Sequence, residues 1–485
     1  MNYLATKLSS IFTELANEIR RKSRIDNAMK LYNMRYTLSL VQTFPTAGEI
    51  EYMDTTCSVV SGFNEVSWMS ITKCSFPQAT LIDSYAFYNC SNLRSISAPN
   101  CITINNYAFA NDYNVSIFAF PECQYIENYA FAGTAGVPIS FPKCINIGEG
   151  AFRYKSFSTE VNFPLVTNIG ASAFQGCSFS YSLSSFEYVD ESGNTKVDRT
   201  YEQVISFPNC LTIGAYAFSS CEEIVQPYLP ECTLIGSYAF AHLSRPLTGG
   251  TYHNRAPYTF PKVARIEDGA FYQSPTKDQY APMELAFPSC TYVGKSAFAA
   301  CKLSYISLPG CHYIGPRAFA NCRSLTTITL PGCSLIGEYA FFCGDLISIS
   351  ANALIIGSHA FESCTDLRNV SLPVLKSVPA YAFYRCGSYS EAGYHSWQFR
   401  GLTNITLGES CTYIGDSAFA YCYGLANLTL LASSVVSVGS FPFENTQFEL
   451  QSHPGIEICV PASLYNDYIN NSFWQTYSTL IKSIT

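Results

Sequence analysis

The chain has 485 residues, a formal net charge of −8 and only 13% charged residues, against about 25% in an ordinary soluble protein. Its basic residues are scattered after the first 35 positions, so no footprint for a phosphate backbone is present, and no apolar run approaches the roughly 20 residues that a membrane-spanning helix needs. Nucleic acid binding and membrane insertion are therefore not expected, and the outer surface is left to Ser, Thr, Asn and Tyr.

Over residues 3–19, apolar side chains recur at Leu4, Leu8, Ile11, Leu15 and Ile19, which places them on one helical stripe. Arg20, Arg21 and Lys22 close this helix with the charge its dipole favours. The stripe fits the seam of a short coiled coil, or packing on the next segment, 28–40, as a helical hairpin, and the pattern leaves both open. Residues 1–40 are thus expected to be a helical attachment or oligomerisation segment. No basic start with an apolar run and small-residue cleavage site is seen there, so the chain is expected in the cytoplasm at synthesis. Residues 41–80 hold Pro45, Gly48, Gly62 and Trp68 without a clear period and read as an N-terminal cap of irregular strands.

Over 81–455 one pattern returns about every 22 residues, the mark of a solenoid. Its anchor is an Ala-Phe pair, running from Phe87, Phe109 and Phe131 to Phe419, with Phe443 continuing the column behind Pro442. The clearest unit is 325–341. There Ile328 and Leu330 alternate with polar residues as a short strand that Pro331 ends. Leu335, Ile336 and Gly337 turn the chain back, glycine sitting at a corner where most side chains would hinder the backbone. Phe341 is then expected to drive its ring between coils. Some fifteen units stacked at about 4.8 Å make a rod roughly 70 Å long. Residues 456–485 read as a C-terminal cap, a strand over 456–460 followed by Leu464, Tyr465, Tyr468, Ile469, Phe473, Trp474, Tyr477, Leu480 and Ile481 at helical spacing. The expected fold is a β-rich solenoid with short helical segments at both ends.

The interval between anchors lengthens to 44 before Phe218, 31 before Phe271, 27 before Phe298 and 36 before Phe419. The extra residues, 180–203, 242–257, 273–283 and 387–401, all follow the Ala-Phe turn and precede the next strand. One phase means one edge, so four loops are expected side by side, the first as a β-hairpin. They gather Tyr188, Arg199, Tyr201, Tyr252, His253, Arg255, Tyr280, Tyr394, His395, Trp397 and Arg400, residue types that dominate binding hot spots. These are the candidate binding residues, against the plainer reading of tolerated loops on a robust scaffold.

The 21 cysteines fall mostly in two columns, three residues after the anchor and two after the strand's proline. Ala79, Val166, Val263 and Leu375 share the second column, which asks for a small buried side chain, so reduced thiols are expected and neither disulfides nor a metal site. Seven tyrosines precede the anchor alanine, among them Tyr85, Tyr107 and Tyr339, and are expected to stack, with a sugar or partner platform as the alternative. His359 takes that place in its unit and reads as a ladder residue, not a base. No His-Glu-x-x-His, phosphate loop or nucleophile elbow is present, so neither catalysis nor a cofactor is expected.

The unit 325–341 resembles the BspA-like (Treponema-type) leucine-rich repeat, L-x-x-I-x-L-P-x-x-x-x-x-I-G-x-x-A-F-x-x-C, and the likeness covers 81–460. The ending from Cys459 through Tyr465 with Trp474 is similar to terminal segments of such proteins in gut Firmicutes and their phages, and the opening Leu4-Ala5-Thr6-Lys7-Leu8 to headers of phage proteins in that group. The resemblance implies a leucine-rich-repeat rod that recognises a protein or glycan on a bacterial surface. It places the chain in a virion or at a cell surface, with residues 1–24 attaching it to tail proteins or to itself. A structural rod without a ligand and an adhesin exported without a classical signal are the alternatives.

Overall fold

The computed structural model describes residues 51–484 apart from 63–70, 135–139, 158–160, 180–182, 190–194, 202–204, 225–226, 245–246, 248–256, 276–281, 393–395 and 451–454. The expected helices over 3–19 and 28–40 lie outside the described residues. The chain winds as a parallel β-solenoid of about 16 turns, each coil presenting three sides to the next.

The first side is the alternating strand. Thr327–Leu330 pairs in parallel with Ser348–Ala351, Ile328 opposite Ile349 and Leu330 opposite Ala351. Ile328 and Leu330 are buried and Thr327 and Thr329 exposed, as the alternation requires. The second side corrects the sequence reading of a bare corner. Leu335–Ile336 is a strand of its own, one of 13 two-residue strands in a ladder from Val59–Val60 to Ile355–Ile356. Two residues are too few for any alternation to show. Both ladders begin ahead of residue 81, where Glu51–Met53 pairs with Lys73–Ser75 and Val59–Val60 with Leu81–Ile82. At the corner itself, a Cβ on Gly337 would lie 2.5 Å from the Pro316 nitrogen of the preceding coil, so close approach of backbones, not an unusual φ, requires glycine.

The third side is the Ala-Phe turn, whose N–H groups alternate between the next coil and the turn itself. Tyr339, Phe341 and Cys343 give their N–H groups to the carbonyls of Ser358, Ala360 and Glu362 in the next coil. The residues between them, Ala340 and Phe342, bond back to Gly337 and Tyr339 within the turn. This alternation holds Tyr339 at φ 55° and Cys343 at φ 54°, and the same two places are left-handed in coil after coil. A non-glycine residue there costs about 1–2 kcal/mol, which the paired N–H and packed side chain offset.

Inside the turn, fifteen anchor phenylalanines from Phe87 to Phe443 form one buried stack with centroids 5.1–5.9 Å apart. A second buried column, at the strand ends, is mostly phenylalanine from Phe120 to Phe287 and leucine from Leu308 to Leu430, with Ala98, Leu229 and Ala351 as exceptions. Phe443, the last ring of the stack, is closed over by Phe448, Phe473, Trp474 and Tyr477. The cap is less helical than its spacing suggests. The short helix Tyr465–Ile469 and the 3-10 turn Trp474–Tyr477 lead to a strand, Ile481–Ile484, that pairs in parallel with Glu457–Pro461. Ile481 therefore belongs to the sheet's edge and Leu480 to the turn before it, because the open strand offers hydrogen bonds that a two-turn helix could not replace.

All 21 cysteines are free, and 18 are buried. In the column three after the anchor, the thiols of Cys177, Cys322, Cys364 and Cys422 donate to the carbonyls of Phe152, Phe298, Phe341 and Phe383, one coil back, at 2.9–3.0 Å. Ser274 does the same toward Phe240 at 2.7 Å. This column mostly carries a small donor, with Leu243 and Gly344 among the exceptions, and the column after the strand, where Cys101 or Cys333 bonds the carbonyl two residues on, also accepts Ala79 and Val263.

Phe319→Ala, which removes a ring stacked between Phe298 and Phe341, is expected to destabilise the rod by about 3–5 kcal/mol, read as a lower midpoint in urea denaturation. Burial pushes the thiols of Cys177, Cys322 and Cys364 up to about 12. In the native protein at pH 8 only the half-buried Cys57, Cys343 and Cys459 should react with a thiol reagent over minutes, and the remainder only after denaturation; fast labelling of Cys322 in the native state would contradict this.

Candidate functional site

The coils are so alike that function must lie where they differ. Two of the four interruptions are described as antiparallel hairpins, Leu183–Val189 with Thr195–Tyr201 and Gly387–Ala392 with Ser396–Gly401. The first is the hairpin that its sequence predicts. Tyr188 pairs with Lys196, Arg199 with Ser185 and Tyr201 with Leu183. Arg199 and Tyr201 thus share one parity along their strand while Tyr188 has the other, so the register does not bring all three together. In the second hairpin Trp397 pairs with Glu391 and Arg400 with Ser388. Tyr252, His253, Arg255, Tyr280, Tyr394 and His395 lie outside the described residues.

The tyrosine column stacks as expected. Tyr85, Tyr107 and Tyr129 follow one another at 5.0 Å, and Tyr216 and Tyr238 at 5.0 Å. His359 lies between Tyr339 and Tyr381 at 4.4 and 4.8 Å, with its Nδ1 2.6 Å from Glu362 Oε2. Its ring is thus a rung of the ladder. Where the run from Tyr85 ends, the next coil supplies Gly150, and a Cβ there would sit 2.3 Å from the Tyr129 ring.

One stretch fills the column three after the anchor with other polar side chains. In successive coils Asp112, Thr134 and Lys155 stand where other coils have cysteine, and all three are buried. Asp112 accepts the Cys90 N–H at 2.7 Å. The Thr134 hydroxyl donates to the Phe131 carbonyl at 2.9 Å and accepts from Lys155 Nζ at 3.0 Å. The Lys155 ammonium lies within 5.8 Å of the Phe118 and Phe157 rings. Burial lowers the Lys155 amine to about 7 and pushes the Asp112 carboxyl well above its usual range.

Directly outside Thr134 the surface opens into a concavity of about 470 Å³. Its walls are Tyr113 and Asn111 on one side and Arg153 and Tyr154 on the other, with Tyr129 beside them and Gly133 at the base. Tyr113 and Tyr154 are 60% and 61% exposed. Most of its lining lies one to four residues after an anchor, and the insertions leave two to six residues after one. Sequence reasoning passed over these residues because they sit in coils of ordinary length. The available signal was Gly133, in a column where the flanking coils carry Asn111 and Tyr154.

A family model for the BspA-type leucine-rich repeat region, spanning six copies, matches residues 63–180, 146–276, 264–390 and 390–454. The chain belongs to the BspA-type leucine-rich repeat family. No curated protein matches it. Among solved structures, a leucine-rich repeat protein from Bacteroides ovatus is 17% identical with a TM-score of 0.45, over 91% of this chain and 97% of that one. Another from Eubacterium ventriosum is 16% identical with a TM-score of 0.31, over 82% and 90%. A leucine rich cell surface protein from Faecalibacterium prausnitzii is 18% identical with a TM-score of 0.24, over 81% and 86%. The BspA-type solenoid is typically a non-enzymatic, protein-binding or adhesive scaffold. Among the described residues no helix is long and apolar enough to cross a membrane.

The buried Asp112 sets a pH signature for this rod. Its folded-state pKa lies above the unfolded value near 3.8, so the folded state binds the extra proton and stability falls as pH rises from about 4 toward the raised value. Asp112→Asn keeps an acceptor for the Cys90 N–H without a charge to bury. The variant is expected to gain stability at pH 7 and to lose that advantage near pH 3, read from thermal melts; a penalty equal at both pH values would contradict it.

Proposed function

We propose that this chain is a non-enzymatic recognition or adhesion protein whose four insertions, carried along one edge of the rod, engage a protein or glycan on a bacterial surface. It is proposed further to be phage- or prophage-encoded and virion-associated, with residues 1–24 joining it to tail proteins or to another copy of itself. The observation that carries the reading is the common phase of the interruptions. A solenoid tolerates insertions at any corner, yet 180–203, 242–257, 273–283 and 387–401 all leave between the Ala-Phe turn and the next strand. Their composition adds Tyr188, Arg199, Tyr201, Tyr252, His253, Arg255, Tyr280, Tyr394, His395, Trp397 and Arg400 to that edge, the residue types that anchor interfaces.

The rod supplies rigidity and reach. Because each coil is fixed by its neighbours, loops along the edge keep constant separations, and several weak contacts can act together on a repetitive surface.

Replacing the four insertions by tight turns should leave the fold and melting temperature nearly unchanged while lowering binding to susceptible bacterial cells by at least roughly 100-fold, as expected when several linked contacts are lost at once. Unchanged cell binding by this variant would remove the insertions from recognition. The virion assignment is checked separately, by looking for the chain in purified particles with and without residues 1–24.

A further inference from the structure

The concavity at Gly133 has the dimensions and chemistry of a site for a sugar ring. Its two walls belong to coils on either side of the one that carries Gly133, two steps or roughly 10 Å apart. A flat ring with van der Waals contact on both faces needs about 7–8 Å, so the missing side chain leaves a slot one ring thick. The other left-handed positions of this column carry side chains from Asn89 and Asn111 to Tyr421 and Asn445, apart from Gly176, where a Cβ would lie 2.5 Å from the Tyr154 ring and the space is already taken. At Gly133, φ 68°, a Cβ would already be 3.0 Å from Asn111 Oδ1 and 3.8 Å from the Tyr113 ring.

The polar groups around the slot are of both kinds. The Arg153 guanidinium lies 4.7 Å from the Tyr154 ring centre and gives one N–H to the Tyr154 hydroxyl at 3.0 Å, while its buried Nε has no hydrogen-bond partner among the described residues. Asn111 Oδ1 accepts from the Tyr113 hydroxyl at 3.2 Å, and Glu149 accepts from the Tyr129 hydroxyl at 2.7 Å. Exposed tyrosine faces suit the C–H face of a pyranose, and the wet rim suits a ligand that keeps much of its hydration. A donor on one wall and an acceptor on the other suit a ring substituent that has both a carbonyl and an N–H.

We infer that the slot between Tyr113 and Tyr154 binds an N-acetylhexosamine unit of a glycan, the pyranose face on Tyr113, the acetamido carbonyl toward Arg153 and its N–H toward Asn111. This rests on the reading of the rod as a recognition protein and adds a position and a ligand class to it. The lining belongs to the coils and owes nothing to the insertions, although it opens on the same edge.

The test is titration calorimetry of the full chain with a soluble tetramer of β-1,4-linked N-acetylglucosamine, with the matching glucose tetramer as the comparison. Gly133→Asn is the decisive variant, because Asn89, Asn111, Asn321 and Asn445 already hold positive φ in this column and the slot is filled without a strained backbone. Saturable binding of the acetamido tetramer is expected, roughly tenfold weaker for the glucose tetramer, and lost in Gly133→Asn at an unchanged melting temperature. Tyr113→Ala, at an exposed side chain, should weaken it by roughly tenfold. The variant without insertions should bind the tetramer as the full chain does. Equal binding by Gly133→Asn, or no saturable binding by the full chain, overturns the inference. If the full chain still binds bacterial cells in that case, the recognition reading stands alone; if it binds neither, both fail.

Discussion

Each coil is held to the next by a hydrogen bond from the anchor phenylalanine's N–H to the carbonyl of the residue before the following anchor, 2.7–2.9 Å in every pair from Phe87 to Phe419. That single contact fixes the pitch, and the pitch fixes the rest. Rings that recur every coil are brought to stacking distance, donors such as Cys322 are brought under the preceding phenylalanine's carbonyl, and tyrosines forced into a left-handed backbone recover the cost by lying on one another. Even the last bond obeys the rule. Pro442 has no N–H for the turn's inner hydrogen bond, yet its carbonyl still receives Phe419.

Uniform columns carry no information about a partner, so specificity has to come from departures. The structure has departures of two kinds. Insertions add residues outside the coil, and substitutions within a column change what the coil presents. Around 111–156 the second kind is concentrated, with Asp112, Thr134 and Lys155 replacing thiols inside and Gly133 opening a gap outside. Three buried polar side chains beneath one surface slot cost stability that a plain cysteine column would not, which is the usual sign that a local rule has been broken for a purpose.

Much of this was legible in the chain of residues. The period, the Ala-Phe anchor, the strand over 327–330 and the first hairpin all follow from spacing, because each repeats or spans enough residues to show its pattern. The two-residue ladder at Leu335–Ile336 was not legible, being shorter than one period of any template. Nor was the left-handed backbone at Tyr339, since nothing local in a tyrosine asks for positive φ; the demand comes from the neighbouring coil. The same holds for the cap, where Ile481 keeps helical spacing but is claimed by an open strand edge. For the candidate site, the insertions were visible as lengthened intervals. The slot at Gly133 was not, because a cavity made by one missing side chain only exists once its neighbours two coils apart are known.

The run of hydrogen bonds parallel to the rod has a mechanical meaning. A pull between the two ends loads the coil-to-coil contacts in series, so each interface bears the whole force and the weakest opens first. The strand-end column varies from coil to coil, with phenylalanine at Phe120 and Phe287, leucine at Leu229 and Leu330 and alanine at Ala98 and Ala351, so the interfaces are not equally strong. Under tension such a rod lengthens coil by coil, starting at its softest interfaces, instead of giving way at once.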